Sequence, residues 1–195
     1  MRTLENLNLT GQFLIAMPSM TDPQFSQTIT LICTHNEDGA MGIIVNRPSE
    51  HQVSSLFEQF KLTAQPSSIL GDDLYVGGPV QQDRGFILHN PTNVEYDSTI
   101  AINDSVALTT SKDILNAAAS NEAPEKMLVA IGYAGWSAGQ LEEEMGLNAW
   151  LNLETSKTEA LHQIIFDAPA GNRFNLAMEM MGLNLSNLSD VAGHA

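Results

Sequence analysis

The sequence predicts an α+β fold, a single compact domain whose largely antiparallel sheet core is flanked by helices. Short apolar or alternating segments follow one another through turn-forming residues, which is typical of antiparallel strands. Helical spacing of apolar residues is confined to a few short segments. At 195 residues, with 43% hydrophobic and 16% charged residues, the chain is long enough to bury one substantial core.

The N-terminal third predicts a strand followed by an antiparallel hairpin. Strands are expected over 12–18 and 27–35, the second with alternate apolar residues starting at Ile29. Residues 36–39 read Asn-Glu-Asp-Gly and supply turn chemistry, and the apolar run 41–45 follows them directly. The last two strands are therefore expected to pair with each other.

A helix is predicted after this hairpin. Ser49 and Gln52 have the spacing of a capping box, in which each side chain bonds a backbone amide at the helix start. The apolar residues that follow have helical spacing: Val53, Leu56, Phe57 and Phe60. The sequence therefore predicts a helix with Ser49 as its N-cap.

Three short strands are predicted in the middle of the chain, over 74–76, 86–89 and 94–102. The turn residues Gly77-Gly78-Pro79 lie between the first two. Because no helical pattern separates these segments, their pairing is expected to be antiparallel.

The C-terminal half predicts alternating helices and strands. In chain order we expect a helix over 111–119, a central strand over 127–131, a turn over 132–139, a helix over 141–145, a strand over 150–153 and a final helix that ends at Gly182. The polar tail from about residue 186 is expected to attach loosely. No repeat or linker interrupts the chain, so residues 1–195 are predicted to form one domain.

The charge balance opposes binding to nucleic acid. Twenty-three acids against eight bases give a formal net charge of -15, and the bases are dispersed along the chain. Affinity for a duplex rests largely on Lys and Arg replacing the counterions around phosphates. We therefore expect an acidic protein whose partner is a small anion held at a local basic site, or a basic protein.

The sequence points to the cytoplasm. Its single cysteine, Cys33, cannot form an intramolecular disulfide, and the first residues lack the apolar core of a signal peptide. The longest apolar runs, such as 13–17 and 127–131, are far shorter than the roughly 20 residues a membrane helix needs. We expect no association with a membrane.

Residues 135–139 read Gly-Trp-Ser-Ala-Gly, which matches the nucleophile elbow of serine hydrolases. A nucleophilic Ser137 needs a histidine base, and the hydrolase order leaves only His162 or His194 downstream. The predicted hairpins also disagree with the mostly parallel sheet of that fold. Catalysis by Ser137 is therefore the less favoured interpretation.

The same segment has a structural interpretation. With Ser137 as a helix N-cap, Gln140 stands three residues later, where it closes a capping box. Trp136 and Leu141 then have the positions of a hydrophobic staple. The capping interpretation explains these residues and requires no histidine base, so we favour it over catalysis.

No metal or cofactor is expected. The five histidines show no spacing that would bring three or four ligands together, and Cys33 with His35 is only a pair on one strand. No Gly-Lys-Ser or Gly-Lys-Thr follows the glycines at 135–139, so a nucleotide site is not expected either.

A ligand-binding surface is predicted around Arg47. Bases are scarce, and this one lies between Asn46 and Pro48 at a strand end, where backbone groups become free to bind a ligand. If the segments 46–48, 77–80 and 132–140 meet, they form a concave site with an arginine and an aromatic wall. The predicted ligand-binding residues for a small anionic ligand are Asn46, Arg47, Gly77, Gly78, Trp136 and Gln140.

A set of short stretches, in order along nearly the whole chain, forms a recognisable pattern: Phe13-Leu14-Ile15-Ala16-Met17-Pro18, Asp22-Pro23-x-Phe25, His35, 39–48, Gly77-Gly78-Pro79-Val80, 83–89, Gly132-Tyr133-Ala134, Trp136, Gly139-Gln140-Leu141-Glu142, Asn148-Ala149-Trp150-Leu151 and 191–195. Together these stretches resemble the AlgH/YqgE family of small bacterial cytoplasmic proteins.

The resemblance implies a compact α+β domain without an established activity. It also implies that residues other than serine occur at the position of Ser137, and lysine at that of Arg47. One family name carries a transcriptional-regulator label, which the charge balance makes an indirect role. We therefore predict a binding domain for a small ligand or a protein, not an enzyme, with a serine hydrolase using Ser137 as the alternative.

Overall fold

A computed structural model describes residues 8–63, 68–155 and 157–183. Within these ranges, ten strands and five α-helices form an α+β domain, which confirms the predicted fold class. The strands are β1 Phe13–Ala16, β2 Ile29–Asn36, β3 Gly39–Ile44, β4 Pro48–Gln52, β5 Asp73–Val76, β6 Val80–His89, β7 Thr99–Ala101, β8 Ala107–Thr109, β9 Met127–Ser137 and β10 Trp150–Leu153. The α-helices are α1 Val53–Gln59, α2 Asp113–Ala119, α3 Gln140–Gly146, α4 Thr158–His162 and α5 Ala170–Met180.

The strands form one curled sheet in the order β10-β1-β2-β3-β9-β6-β8-β7, with β5 beside β9 and β4 beside β5. All these pairs are antiparallel except β5 with β9, where Tyr75 lies opposite Ala130. The predicted hairpin is confirmed, because β2 and β3 pair from Asn36 opposite Gly39 onward. No helix in the described ranges is long and apolar enough to cross a membrane.

Strand β9 is the centre of the sheet. One of its edges pairs with β6. Its other edge pairs first with β5 and then, from Ala134 to Ser137, with β3. The predicted central strand over 127–131 is therefore confirmed, but it continues through the segment predicted as a turn.

Gly132 shifts the side-chain alternation of β9 by one residue. Leu128 and Ala130 pack in the core inside the curled sheet, and strict alternation would send Tyr133 to the opposite face. Tyr133 instead packs in that same core, and Ala134 turns outward. Gly132 has a φ of +72°, a left-handed conformation that glycine adopts without strain. The ladder with β6 is irregular at the same point, since residues 81–84 lie between the partners of Tyr133 and Ile131. This bulge at Gly132 places Ala134 and Trp136 on the outer face of the sheet.

Three clusters of buried residues fill these layers. The largest lies inside the curled sheet and is covered by α4, α5 and the π-helical turn Gln163–Asp167 between them. The second lies between the outer face of the β5–β9–β6 region and helices α1 and α2. The third lies between the outer face of β1, β2, β3 and the end of β9, and α3. Burying both faces of the sheet is the main source of stability in such a domain.

Two predicted elements differ from the structure, and two strands were not predicted. Residues 49–52 belong to β4, which pairs with β5, so the N-cap of α1 is Gln52 and not Ser49. The predicted strand over 94–102 is reduced to Thr99–Ala101. Strands β4 and β8 were not predicted, because short strands of ordinary composition form only where a neighbouring strand pairs with them, and local sequence does not show that pairing.

The other predicted elements of the C-terminal half are confirmed, namely α2, α3, β10 and α5. Gly182 follows α5 with a φ of +71°, and its amide N–H donates to the carbonyl of Glu179 at 2.9 Å. This is the predicted glycine termination of the last helix. The polar tail predicted from about residue 186 lies outside the described residues.

We expect Gly132→Ala to lower the free energy of unfolding by at least about 2 kcal/mol. The added Cβ would strain a positive φ and also overlap the carbonyl oxygen of Gly78. Gly139→Ala, at φ +75° in open space, isolates the backbone cost of about 1 kcal/mol. Gly146→Ala meets neither penalty and serves as the control. Chemical denaturation measures all three, and equal losses for Gly132 and Gly139 would contradict the role assigned to the bulge.

Candidate functional site

Ser137 is the last residue of β9 and not a helix cap. It pairs with Gly39 across the sheet, and the N-cap of α3 is Gly139, in a left-handed conformation. The predicted N-cap role of Ser137 is therefore wrong, because the sheet holds it extended. Half of the predicted box is present, since the Ser137 amide donates to Gln140 Oε1 at 3.0 Å. Trp136 and Leu141 share the third cluster, as a staple would.

The described histidines bond to groups other than Ser137. His162 Nε2 donates to the carbonyl of Ser105 at 2.9 Å. His35 Nδ1 accepts the Leu9 amide at 3.2 Å, so the ring proton lies on Nε2, which donates to Glu142 Oε1 at 2.9 Å. The other predicted base, His194, lies outside the described residues.

Trp136 and Gln140 belong to an aromatic cluster bound by one carboxylate. Glu144 Oε2 accepts both indole N–H groups, from Trp136 at 2.9 Å and from Trp150 at 2.8 Å. Glu144 Oε1 accepts the Gln140 amide at 2.9 Å. The ring of Phe25 packs against both indoles, with centroid distances of 6.4 and 5.7 Å. A charged acceptor and perpendicular ring contacts hold this cluster together.

Arg47 binds the backbone of the loop that carries Phe25, residues 22–27, called here the Phe25 loop. Its guanidinium donates to the carbonyl of Gln24 and, at 3.2 Å, to that of Ser26. Asn46 adds to the attachment, since its amide donates to the Gln27 carbonyl at 2.9 Å. Partial burial lowers the pKa of Arg47, and the charge of Asp22 opposes that shift.

A cavity of about 500 Å³ lies beside this arginine and is called here the Arg47 cavity. Its walls come from the end of β1, the Phe25 loop, the residues after β3 and the first turns of α5. The lining residues are Ala16, Met17, Pro18, Ser26, Gln27, Asn46, Arg47, Ala170, Gly171, Phe174 and Asn175. One cation, several neutral polar groups and an aromatic ring therefore face the same space.

The structure brings together only part of the predicted site. Asn46 and Arg47 both line the Arg47 cavity, whereas Gly77, Gly78, Trp136 and Gln140 do not. The Gly77 amide donates to the Ile131 carbonyl at 2.8 Å, and Gly78 packs against the backbone of Tyr133. The two glycines thus allow the backbone of residues 77–78 to approach that of β9 closely, and they do not form the concave surface that was predicted for them.

Sequence reasoning missed the α5 wall of the cavity. Ala170, Gly171 and Phe174 are remote from Arg47 in sequence, and α5 was predicted only as an amphipathic helix. No local pattern connects these residues with Arg47, so the sequence offers no signal for this wall.

Cys33 is buried in the inner core, and burial raises the pKa of its thiol above the usual range. A buried thiol of this kind packs as a small apolar group. Among the described residues, no three His, Cys, Asp or Glu side chains converge as metal ligands.

Comparisons with known proteins agree over nearly the whole chain. A family model described as AlgH-like matches residues 13–186. A UPF0301 protein from Thiobacillus denitrificans is 50% identical over 98% of this chain and 100% of its own length. The solution structure of the AlgH protein from Pseudomonas aeruginosa superposes with a TM-score of 0.77, at 45% identity and full coverage of both chains. The Corynebacterium diphtheriae protein DIP2367, at 20% identity, a TM-score of 0.67 and 94% and 91% coverage, shares the fold.

Replacing Glu144 by alanine is expected to lower the free energy of unfolding by about 2 kcal/mol or more. Two largely buried indole N–H groups would lose the acceptor they share. Glu143, the exposed neighbour on α3, supplies the control, and Glu143→Ala should change the value by less than about 0.5 kcal/mol. Denaturation followed by far-ultraviolet circular dichroism compares them, and similar losses in both variants would contradict the bridging role.

Proposed function

We propose that this chain, which belongs to the AlgH-like family, is a binding domain for a small anion with an apolar part. The ligand would occupy the Arg47 cavity, with its anionic group on Arg47 and its apolar part against Phe174. A volume of about 500 Å³ is within the range of small-molecule sites.

The observation that carries this proposal is the charge of the cavity lining. The protein has 23 acids and 8 bases, yet the lining contains Arg47 and no carboxylate. Four other cavities in the described ranges each have at least one Asp or Glu in their walls. On so acidic a protein, a cavity with a net positive lining favours an anionic ligand.

The donors around the cavity fit an anion. An arginine has five N–H donors, and the contacts to Gln24 and Ser26 use two of them. The Ser26 and Asn175 side chains add neutral donors to the same walls. The first turn of α5 also lines the cavity through Ala170 and Gly171, and the N-terminal end of a helix favours negative charge.

Ligand binding in the Arg47 cavity should change the surroundings of the aromatic cluster. An anion on Arg47 competes with the carbonyls that hold the Phe25 loop, and Phe25 packs on both indole rings. The chain has two tryptophans, and both belong to this cluster. Intrinsic tryptophan fluorescence therefore reports on the loop beside the cavity.

Ligand occupancy would give the indirect regulatory role that the family resemblance implies, without contact to DNA. A cytoplasmic location belongs to the same proposal. No contact among the described residues favours a hydrolase using Ser137. Fluorophosphonate labelling that disappears in Ser137→Ala would replace the binding proposal with that alternative.

Phenyl phosphate is expected to bind saturably and to change tryptophan fluorescence. Inorganic phosphate has only the anionic group and phenol only the aromatic ring, so each should bind at least about tenfold more weakly. Isothermal titration calorimetry with parallel fluorescence measures both effects. Saturable binding of none of the three compounds would contradict the proposal.

Two variants locate the binding to the Arg47 cavity. Arg47→Ala removes the cation, while Gly171→Glu keeps Arg47 and adds a carboxylate to the wall at a position with open space. Both should weaken phenyl phosphate binding at least about tenfold, because Arg47→Ala removes an attraction and Gly171→Glu adds a repulsion. Arg84→Ala, at an exposed arginine bonded to Gln81, is the control and should bind as the wild type does. Unchanged binding in Gly171→Glu would assign the ligand to another surface.

A further inference from the structure

Helix α5 separates the Arg47 cavity from a second cavity with different chemistry. Ala170, Gly171 and Phe174 face the first, whereas Arg173 faces the second, which has a volume of about 330 Å³. Arg173 is only 4% exposed, so this cavity reaches a charged group inside the protein. It is called here the Arg173 cavity.

Arg173 is bound by backbone carbonyls and an aromatic ring. Its Nε donates to the Ala168 carbonyl at 2.8 Å, and its Nη1 donates to the Val45 carbonyl. Its guanidinium carbon lies 5.2 Å from the centre of the Tyr75 ring. These two carbonyl bonds use two of the five N–H donors of the side chain.

No carboxylate among the described residues lies within 4 Å of the Arg173 guanidinium. Burial lowers the pKa of Arg173, and the charge and hydrogen bond of the Tyr75 side chain, together with the charges of Asp73 and Asp167, oppose that shift. Asp167 is bound to Lys126, at 2.6 and 2.7 Å, and not to Arg173. A buried cation without a direct ionic partner is costly, and an anionic group entering the cavity would remove that cost.

Two exposed aspartates add negative charge to the lining of the same cavity. Asp72 and Asp73 line it, and within the described ranges neither carboxylate forms an ion pair or accepts a hydrogen bond. Partial burial and the charge of Asp73 raise the pKa of Asp72. Two adjacent unpaired carboxylates favour a cationic group.

We propose that the Arg173 cavity binds a small zwitterion of the α-amino-acid type. Its carboxylate would bind Arg173 and the hydroxyl of Tyr75, which lines the same cavity and is hydrogen-bonded to Arg173. Its ammonium group would lie between Asp72 and Asp73, and a side chain would meet the apolar wall of Ile165 and Phe166. The volume of about 330 Å³ limits the ligand to this size.

The lining disfavours a ligand with one charge only. A free anion would reach Arg173 but meet repulsion from two carboxylates, and a free amine would meet the opposite conflict. A zwitterion offers an anionic group to Arg173 and a cationic group to the two aspartates at the same time. The site should therefore discriminate strongly against an analogue that lacks either charged group.

L-leucine, L-serine and L-lysine are the probes for this proposal, titrated separately into the full-length protein and followed by amide NMR shifts and calorimetry. At least one is expected to bind saturably, with shifts around residues 72–75 and 173. For L-leucine, 4-methylpentanoate and 3-methylbutylamine supply the carboxylate and the amine separately. Each should bind at least about tenfold more weakly than the amino acid.

Variants at the exposed end of the cavity test the ammonium site without removing the buried arginine. The double variant Asp72→Asn with Asp73→Asn should weaken amino-acid binding at least about tenfold, since a charge-assisted contact is lost. Asp38→Asn, at an exposed turn, is the control and should bind normally. Arg47→Ala should also bind amino acids normally, so failure of the phenyl phosphate experiment would leave this one interpretable.

Two results would overturn the zwitterion site. One is the absence of saturable binding by all three amino acids. The other is equal affinity of the wild type and the Asp72 and Asp73 double variant for the amino acid that binds.

Discussion

The bulge at Gly132 is the constraint on which the rest of the structure depends. By shifting the alternation of β9 by one residue, it keeps Tyr133 in the inner core and places Ala134 and Trp136 on the outer face, in the same cluster as Leu141 of α3. The same position is where the second edge of the strand changes partner, from β5 to β3. The two halves of the curled sheet, and the helices packed outside each half, are positioned by that change.

Two arginines hold separate chain segments together on opposite sides of α5. Arg47 attaches the Phe25 loop through carbonyls, and Arg173 attaches the ends of β3 and α5 in the same way. In both cases backbone carbonyls accept hydrogen bonds from the guanidinium, and the arginine also lines a cavity. The chain has eight basic residues, and two of them stand at such positions, which is why the two binding proposals start from these cavities.

The residues of the Gly-Trp-Ser-Ala-Gly segment have structural roles in packing and in the start of α3. Its tryptophan is buried against Trp150 and Phe25, and Glu144 from the following helix accepts both indole protons. Its second glycine starts α3 in a left-handed conformation. The residues that match a nucleophile elbow therefore build an aromatic cluster, and the Phe25 loop connects this cluster with the Arg47 cavity.

The α+β class, the β2–β3 hairpin, α2 and α5 could be predicted from the sequence alone. These features depend on turn chemistry and local periodicity, which are properties of short segments. The scarcity of bases also singled out Arg47, which with Asn46 lines one cavity. Only the tertiary structure decided that residues 49–52 pair with β5, that β9 continues through Gly132, and that Arg47 and Arg173 flank α5 with a cavity on each side. Strand pairing and cavity walls join residues far apart in sequence, and their energies exceed the local preferences that a sequence pattern expresses.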